Sequence, residues 1–449
     1  MPIKEFKSKI FPWLNEPKWL NRLTLYFALG TVIITTLQLV FSYSGSLHTD
    51  VDSARYMLSA LVQSEAAIVA LVVTLSLVAV QLAAQSYSAR VIEVFRRTPD
   101  LWILMGIYGV AIFYGLGVLK LIENPLVGRM SNLEGYVAFS YYLGVFAFVA
   151  LVPYIWNTLE MLKPSTVIDI LAKRITKESI LVSIDEKQEK SDGKDPILPI
   201  VDIVRGSMMK YDTETVIYGL RVISNCAANM FEIETFKEKE ERKISEHLFS
   251  HIVGIGRQAA TREDSTSTLK SITILKNCGE IAIKNKLEDA TANAATGIQV
   301  IGEAAMEKKL YKATIWAADS LGRIGSAAAK QNNTSGILQP IISLEDVGIA
   351  SAKQHLGETI KEVAIALGWI GMATAKQKIE DLTLEAIWAL GRIGEITMEQ
   401  NLETATLDVI DSLDRVGKAA TEQNLEDITL EVAKTHDNLT DGLSKLKKK

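Results

Sequence analysis

The sequence predicts an all-α protein, built from a four-helix transmembrane domain followed by a cytoplasmic α-solenoid. Four uncharged runs precede residue 160, and each comes close to or exceeds the roughly 20 residues that a helix needs to cross a bilayer. The charged residues concentrate after these runs. In the second half, glycines recur every 23 residues. These three observations indicate a membrane half and a repetitive helical half.

The predicted spans cover about residues 23–43, 62–85, 101–121 and 135–158, within a transmembrane domain of residues 23–159. Lysine and arginine cluster in the N-terminal segment 1–22 and in the loop after the second span, and these side chains prefer the cytoplasmic side of a membrane. The sequence therefore predicts a multi-pass protein of the cell membrane. Both termini lie in the cytoplasm, and short outer loops lie at 44–62 and 120–134.

The second span is the most polar of the four and is the candidate functional element. Polar groups inside a membrane often mark ion routes, although they also bond neighbouring helices. Helical spacing gives two stripes, and the pattern does not select which of them faces water. The candidate pore lining is Glu65, Val69, Val72, Ser76, Ala79, Ala83 and Arg90, and the alternative polar stripe is Gln63, Thr74, Gln81, Gln85 and Ser88.

The segment TLSLVAVQLAAQSYSARVIEVFRR resembles a widespread prokaryotic family of predicted membrane proteins that has no settled function. The shared pattern is a Ser/Thr-bearing span that ends in Gln-Leu-Ala, followed by Ser-x-Arg-Val and a basic amphipathic turn. The later stretch DPILPIVDIVRGSMMKYDTETVIYGL is similar to the start of that family's soluble part. The resemblance implies a fold but no activity. The matching positions of the first segment are Gln81, Leu82, Ala83, Ser88, Arg90 and Val91.

The second half contains an internal repeat of eight units. The residue before each repeated glycine is apolar, and the eighth residue after it is leucine or isoleucine except at Asp264 and Asn333. The repeated glycines are Gly256, Gly279, Gly302, Gly325, Gly348, Gly371, Gly394 and Gly417.

One unit of this repeat predicts one helix. An uninterrupted helix could not keep its apolar stripe aligned, because 23 residues make about 6.4 turns. The chain must therefore turn once per repeat, near residues 400–403. One helix of ~17 residues per repeat, packed antiparallel on the next, resembles a HEAT or armadillo unit and predicts an α-solenoid of eight 23-residue HEAT-like repeats over residues 246–435. The alternative is two shorter helices per repeat, broken at the glycine.

Residues 160–245 are predicted to form a helical linker domain, with Asp212 as a helix N-cap, and residues 436–449 form a basic C-terminal tail. The chain has no Walker loop, GxSxG elbow or HExxH motif, so it is expected not to be an enzyme and to hold no cofactor or metal. His247 and His251 lie four residues apart and could share a metal, but the sequence places no third ligand beside them.

These patterns leave two functions open. The first is an oligomeric, cation-conducting ion channel whose second spans line the pore and whose repeat domain gates or senses. The alternative is a membrane-anchored scaffold that recruits a protein partner through its solenoid. The expected partners are the lipid bilayer, further copies of the chain, cations and a protein on the solenoid. Nucleic acid is not expected, because the net charge is -5 and no basic stripe is present.

Overall fold

The structure is a computed structural model that describes residues 18–44, 50–86, 100–122, 133–185, 195–237 and 239–446. Within these ranges the chain forms α-helices and no strands, so the predicted all-α class is confirmed. The chain divides into two compact units, Met1–Val167 and Ile168–Lys449.

Four helices of the first unit are long and apolar enough to cross a membrane. They are α1 (Lys18–Ser44), α2 (Val51–Ser86), α3 (Asp100–Ile122) and α4 (Leu133–Met161). Helix α4 contacts the other three, and α2 also packs along α3. Large apolar side chains such as Phe27, Leu71 and Phe113 stay exposed on the outside of the bundle, as a lipid-facing surface requires. The four predicted spans are confirmed.

Helix α2 begins earlier than predicted, so the predicted loop 44–62 is wrong in extent. Its first turns are helical because Ala54 and Leu58 continue the apolar stripe of the span and are buried against Val118 of α3 and Val137 of α4. The hydropathy pattern missed this extension because Asp52 and Arg55 interrupt the uncharged run.

Helix α5 (Pro164–Ala172) crosses the boundary between the units. The second unit continues with α6 (Lys177–Asp185), α7 (Leu198–Met209), α8 (Thr213–Ile233) and α9 (Glu240–Thr261). The predicted N-cap before α8 is present, because the Asp212 side chain accepts a hydrogen bond from the Thr215 N–H.

Eight helices follow, and their first residues are 23 residues apart. They are α10 (Ser265–Lys284), α11 (Glu288–Glu307), α12 (Tyr311–Ala329), α13 (Thr334–Lys353), α14 (Gly357–Lys376), α15 (Glu380–Glu399), α16 (Glu403–Glu422) and α17 (Glu426–Leu446).

Each repeat is one helix followed by a tight turn, so the prediction of one helix per repeat is confirmed and the broken-helix alternative is wrong. The helices are 19 to 21 residues long rather than ~17. In the turn after α15, Asn401 is left-handed at φ 57°, and the Leu402 N–H donates to the Thr397 carbonyl. This is the Schellman arrangement, which satisfies the last carbonyls of a helix. Asp264 and Asn333, the exceptions in the leucine column, cap their helices with their side chains.

The repeat helices form two rows, because each helix packs on the next helix and on the one after it. One row is α8, α10, α12, α14 and α16, and the other is α9, α11, α13, α15 and α17. The repeated glycines allow the helices of one row to approach closely. A Cβ at Gly325 would lie 2.5 Å from Cδ1 of Ile370, and one at Gly348 would lie 2.5 Å from Cδ1 of Ile393. Each of these two isoleucines directly precedes a repeated glycine. Its side chain thus fills the space left by the glycine two repeats earlier.

Candidate functional site

One face of α2 is buried inside the four-helix bundle, and it is the predicted pore-lining stripe. Glu65, Val72 and Ala79 are buried, and Val69 and Ser76 are half-buried. These residues follow the three-and-four spacing of a single helix face. The stripe therefore faces α3 and α4 of the same chain instead of lining an open face of α2.

Glu65 is the buried carboxylate of this face, and its side chain is only 1% exposed. Gly144 on α4 makes room for it, since a Cβ at Gly144 would lie 2.9 Å from Glu65 Oε1 and 2.8 Å from Leu61 Cδ1. Neither carboxylate oxygen has a hydrogen-bond partner among the described residues, and neither does the buried hydroxyl of Tyr108. The carboxylate thus lies within the bundle with its hydrogen-bonding capacity unused by the described residues.

An apolar layer follows Glu65 along α2. Val72 is buried against Leu104 of α3 and Ala147 of α4, and all three belong to one cluster of buried side chains. Val69 and Val72 of the candidate pore lining are therefore packed by side chains of the same chain. Eleven residues separate Glu65 from Ser76, which corresponds to about 16 Å along the helix axis.

A second polar group lies beyond this layer. The Ser76 hydroxyl bonds the Tyr154 hydroxyl of α4 and donates to the Val72 carbonyl at 2.6 Å. Asn157 Nδ2 donates to Asp100 Oδ2 at 3.2 Å, and Arg22 Nε lies 3.9 Å from Asp100 Oδ1. A cavity of about 70 Å³ connects these groups, which is room for several water molecules. Its lining includes Ser76, Ala79, Asp100, Tyr154, Asn157 and Thr158.

The alternative polar stripe lies on the opposite, exposed side of α2. Gln63, Thr74 and Gln81 are exposed, and Thr74 Oγ1 donates to the carbonyl of Ala70 on its own helix at 2.8 Å. Among the described residues, no other helix of the bundle buries this face. The side chains of Ala83, Gln85, Ser88 and Arg90 lie outside the described part of the chain.

The sequence reading missed the polar partners on the other helices. Tyr108, Tyr154 and Asn157 lie in or beside otherwise apolar runs, and Asp100 precedes one of these runs. The sequence shows these hydroxyl, amide and carboxyl groups in or beside apolar runs. It does not show that they converge on the Glu65 face of α2, because this depends on how α3 and α4 pack against α2.

No curated protein matches the chain with significant similarity. A solved structure described as a "Circular tandem repeat protein with novel repeat topology and enhanced subunit contact surfaces" is similar over 94% of this chain and 98% of its own, at 13% identity and a TM-score of 0.43. The "DHF46 filament" is similar over 44% of this chain and 98% of its own, at 12% identity and a TM-score of 0.25. Likenesses of this strength carry no functional argument.

Family comparison agrees with the membrane region described above. The family model described as "Predicted membrane protein (DUF2254)" matches residues 18–202, which contain the four candidate spans and the first helices of the second unit. The chain is therefore a membrane protein, and its residues 18–202 are similar to the DUF2254 family of predicted membrane proteins.

Proposed function

We propose that this protein moves cations across the membrane through the interior of its own helix bundle, and that Glu65 is the group that binds the cation. The observation that carries the proposal is the burial of the Glu65 carboxylate without a hydrogen-bond partner among the described residues. Ionisable side chains inside a membrane domain are expensive and commonly mark ion or proton routes.

A purely structural role accounts poorly for Glu65. A buried carboxylate without a partner destabilises a fold, and an apolar side chain of similar size would pack at this position without that cost. Gly144 leaves space for a side chain of this length. A glutamate that carries this cost is explained by a task that requires a titratable group.

The proton is the cation that these surroundings favour. Gly144 leaves little space beside the Glu65 carboxylate, and a proton needs no coordination shell. The Tyr108 side chain is also buried in the bundle, and the Ser76, Tyr154 and Asp100 group provides a polar cavity further along. The apolar layer at Val72 separates the two polar regions, so transport requires this layer to open or to admit water.

The test is proton flux into liposomes that contain the purified full-length protein, followed with an internal pH-sensitive dye under an imposed potassium diffusion potential. We expect the native protein to acidify the lumen and Glu65→Gln to abolish this flux. Asp52→Asn is the matched control, because it removes a carboxylate from the same helix at an exposed position, and it should retain the flux. Sodium and potassium fluxes are measured in parallel.

Equal flux in Glu65→Gln and the native protein would overturn the role of Glu65. Flux lost instead on substitution of Gln63 or Thr74 would favour an oligomeric channel lined by the exposed stripe of α2. Absence of any cation flux in the native protein would overturn transport and favour the scaffold function.

One observation supports the scaffold as a second candidate. Helices α13, α15 and α17, which belong to one row, carry exposed apolar side chains at Ile342, Trp388 and Leu430. Exposed apolar surface of this kind is where solenoids bind protein partners. A pull-down with the native protein that is lost on Trp388→Ala, with cation flux absent, is the result expected for a scaffold.

A further inference from the structure

The second unit brings three metal-binding side chains together at one point. Asp195 lies just before α7, and its Oδ1 accepts a hydrogen bond from the Ile197 N–H at 2.9 Å. This bond fixes the carboxylate so that Oδ2 points to α9. There Oδ2 lies 3.0 Å from Nε2 of His247 and 3.0 Å from Nε2 of His251. The two histidines are one helical turn apart on α9, with ring centroids separated by 4.9 Å.

The cluster is enclosed, and one of its ligand atoms lacks a partner. Asp195 is 8% exposed and His247 is 6% exposed, while His251 is half-buried. His251 forms a hydrogen bond with Asp195. His247 Nε2 has no hydrogen-bond partner among the described residues, although it lies 3.0 Å from Asp195 Oδ2. A buried imidazole nitrogen that is close to a carboxylate but has no hydrogen-bond partner is suited to an ion held between them.

We propose that Asp195, His247 and His251 bind a divalent transition-metal ion, and that zinc is the ion that this ligand set fits best. Two imidazoles and one carboxylate are typical zinc ligands, with bonds of about 2.0–2.2 Å. Tetrahedral bonds of that length separate neighbouring ligand atoms by about 3.3 Å. The three ligand atoms here lie within 4.8 Å of one another, so small side-chain rotations bring them to that spacing.

The surroundings of the carboxylate agree with this assignment. The Ile197 N–H orients the carboxylate from behind, as outer partners do for metal ligands. Three protein ligands leave a fourth position for water or another small ligand.

The bound ion would join two segments of the chain, of which only one lies in the region that the family model matches. Asp195 lies within the region that matches the membrane-protein family, whereas both histidines lie beyond its end at residue 202. Metal binding would therefore fasten α9, at the start of the repeat rows, to the segment that precedes α7.

The test uses untagged full-length protein in detergent, freed of metal with a chelator. Zinc is added, unbound ions are removed by gel filtration, and the retained zinc is measured by mass spectrometry. Cobalt is added to a second sample, because tetrahedral Co²⁺ gives intense visible absorption. We expect one zinc ion per chain, a cobalt spectrum of tetrahedral type and a rise in Tm on metal addition.

His251→Gln and Asp195→Asn should lose the retained zinc and the metal-dependent rise in Tm. His251 is the preferred position, because its half-buried side chain is less important to folding than His247. The matched control is His355→Asn, which removes a histidine from an exposed repeat turn where Asn332, Asn401 and Asn424 occupy the equivalent left-handed positions. This control should bind zinc as the native protein does.

Two results would overturn the proposal. One is a native protein that retains no zinc or cobalt at micromolar concentration. The other is a folded His251→Gln variant that retains zinc as the native protein does. Neither result bears on cation transport, because the readout is metal content and not flux.

Discussion

At the scale of single residues, Glu65 combines a cost in stability with the burial that the proposed transport role would explain. The carboxylate is buried, lies beside Gly144 and has no hydrogen-bond partner among the described residues. Such a group is tolerated where function requires it, and folds commonly break local rules of stability at their functional sites.

Glu65→Met is therefore expected to stabilise the protein and to abolish the proposed transport. Methionine is close to glutamate in length and removes the unsatisfied carboxylate, so the free energy of unfolding should rise by roughly 1–3 kcal/mol. The measurement is the midpoint of thermal unfolding in detergent, with Asp52→Asn as the variant expected to leave that midpoint unchanged. A lower midpoint for Glu65→Met would indicate that Glu65 has a stabilising partner.

At the scale of elements, the repeat helix depends on its glycine for contact with the helix two repeats later. A Cβ at Gly394 would lie 2.6 Å from Cδ1 of Leu439, so α15 and α17 could not keep their present approach with a larger side chain there. The left-handed turn residues are a second regular feature. They are lysine, asparagine, glutamate or histidine instead of glycine, and Asn401 lies within the turn predicted at residues 400–403.

Gly394→Leu should therefore lower the stability of the second unit, by about 3 kcal/mol, through overpacking. The measurement is the Tm of the full-length protein followed by circular dichroism. Gly357→Leu is the control, because a Cβ at Gly357, the first residue of α14, meets nothing within 4 Å. If Gly394→Leu melted at the same temperature as the control, the tight contact between α15 and Leu439 would be contradicted.

At the scale of the whole molecule, the membrane topology remains a prediction from the positions of lysine and arginine. Both termini are expected in the cytoplasm, with the turns between α1 and α2 and between α3 and α4 outside. Residues 46, 132 and 449 test this arrangement, and they lie outside the described residues.

Cysteines introduced at Ser46 and Asn132 should react with a membrane-impermeant thiol reagent in intact cells, whereas a cysteine at Lys449 should react only after the membrane is opened. The native Cys226, which is half-buried, serves as an internal control, because it belongs to the cytoplasmic unit in this topology and should stay unlabelled in intact cells. Labelling at position 449 in intact cells would reverse the assigned orientation.

The sequence by itself determined the four spans and the repeat of one helix every 23 residues. Both features depend on local sequence. The length of an apolar run decides whether a helix can span a bilayer, and a fixed sequence interval decides where the helices recur. Residue spacing also found the stripe that contains Glu65 and the pair His247 and His251. Neither pattern identified the neighbours of these side chains.

Only the tertiary structure decided which stripe of α2 is buried and which groups surround Glu65. It also decided that Asp195 meets His247 and His251, although α7 and α8 separate them along the chain. The physical reason is that hydropathy and periodicity act locally, whereas a site is made by side chains from several helices. Their meeting depends on packing contacts, such as Gly144 against Glu65, that a single helix pattern does not contain.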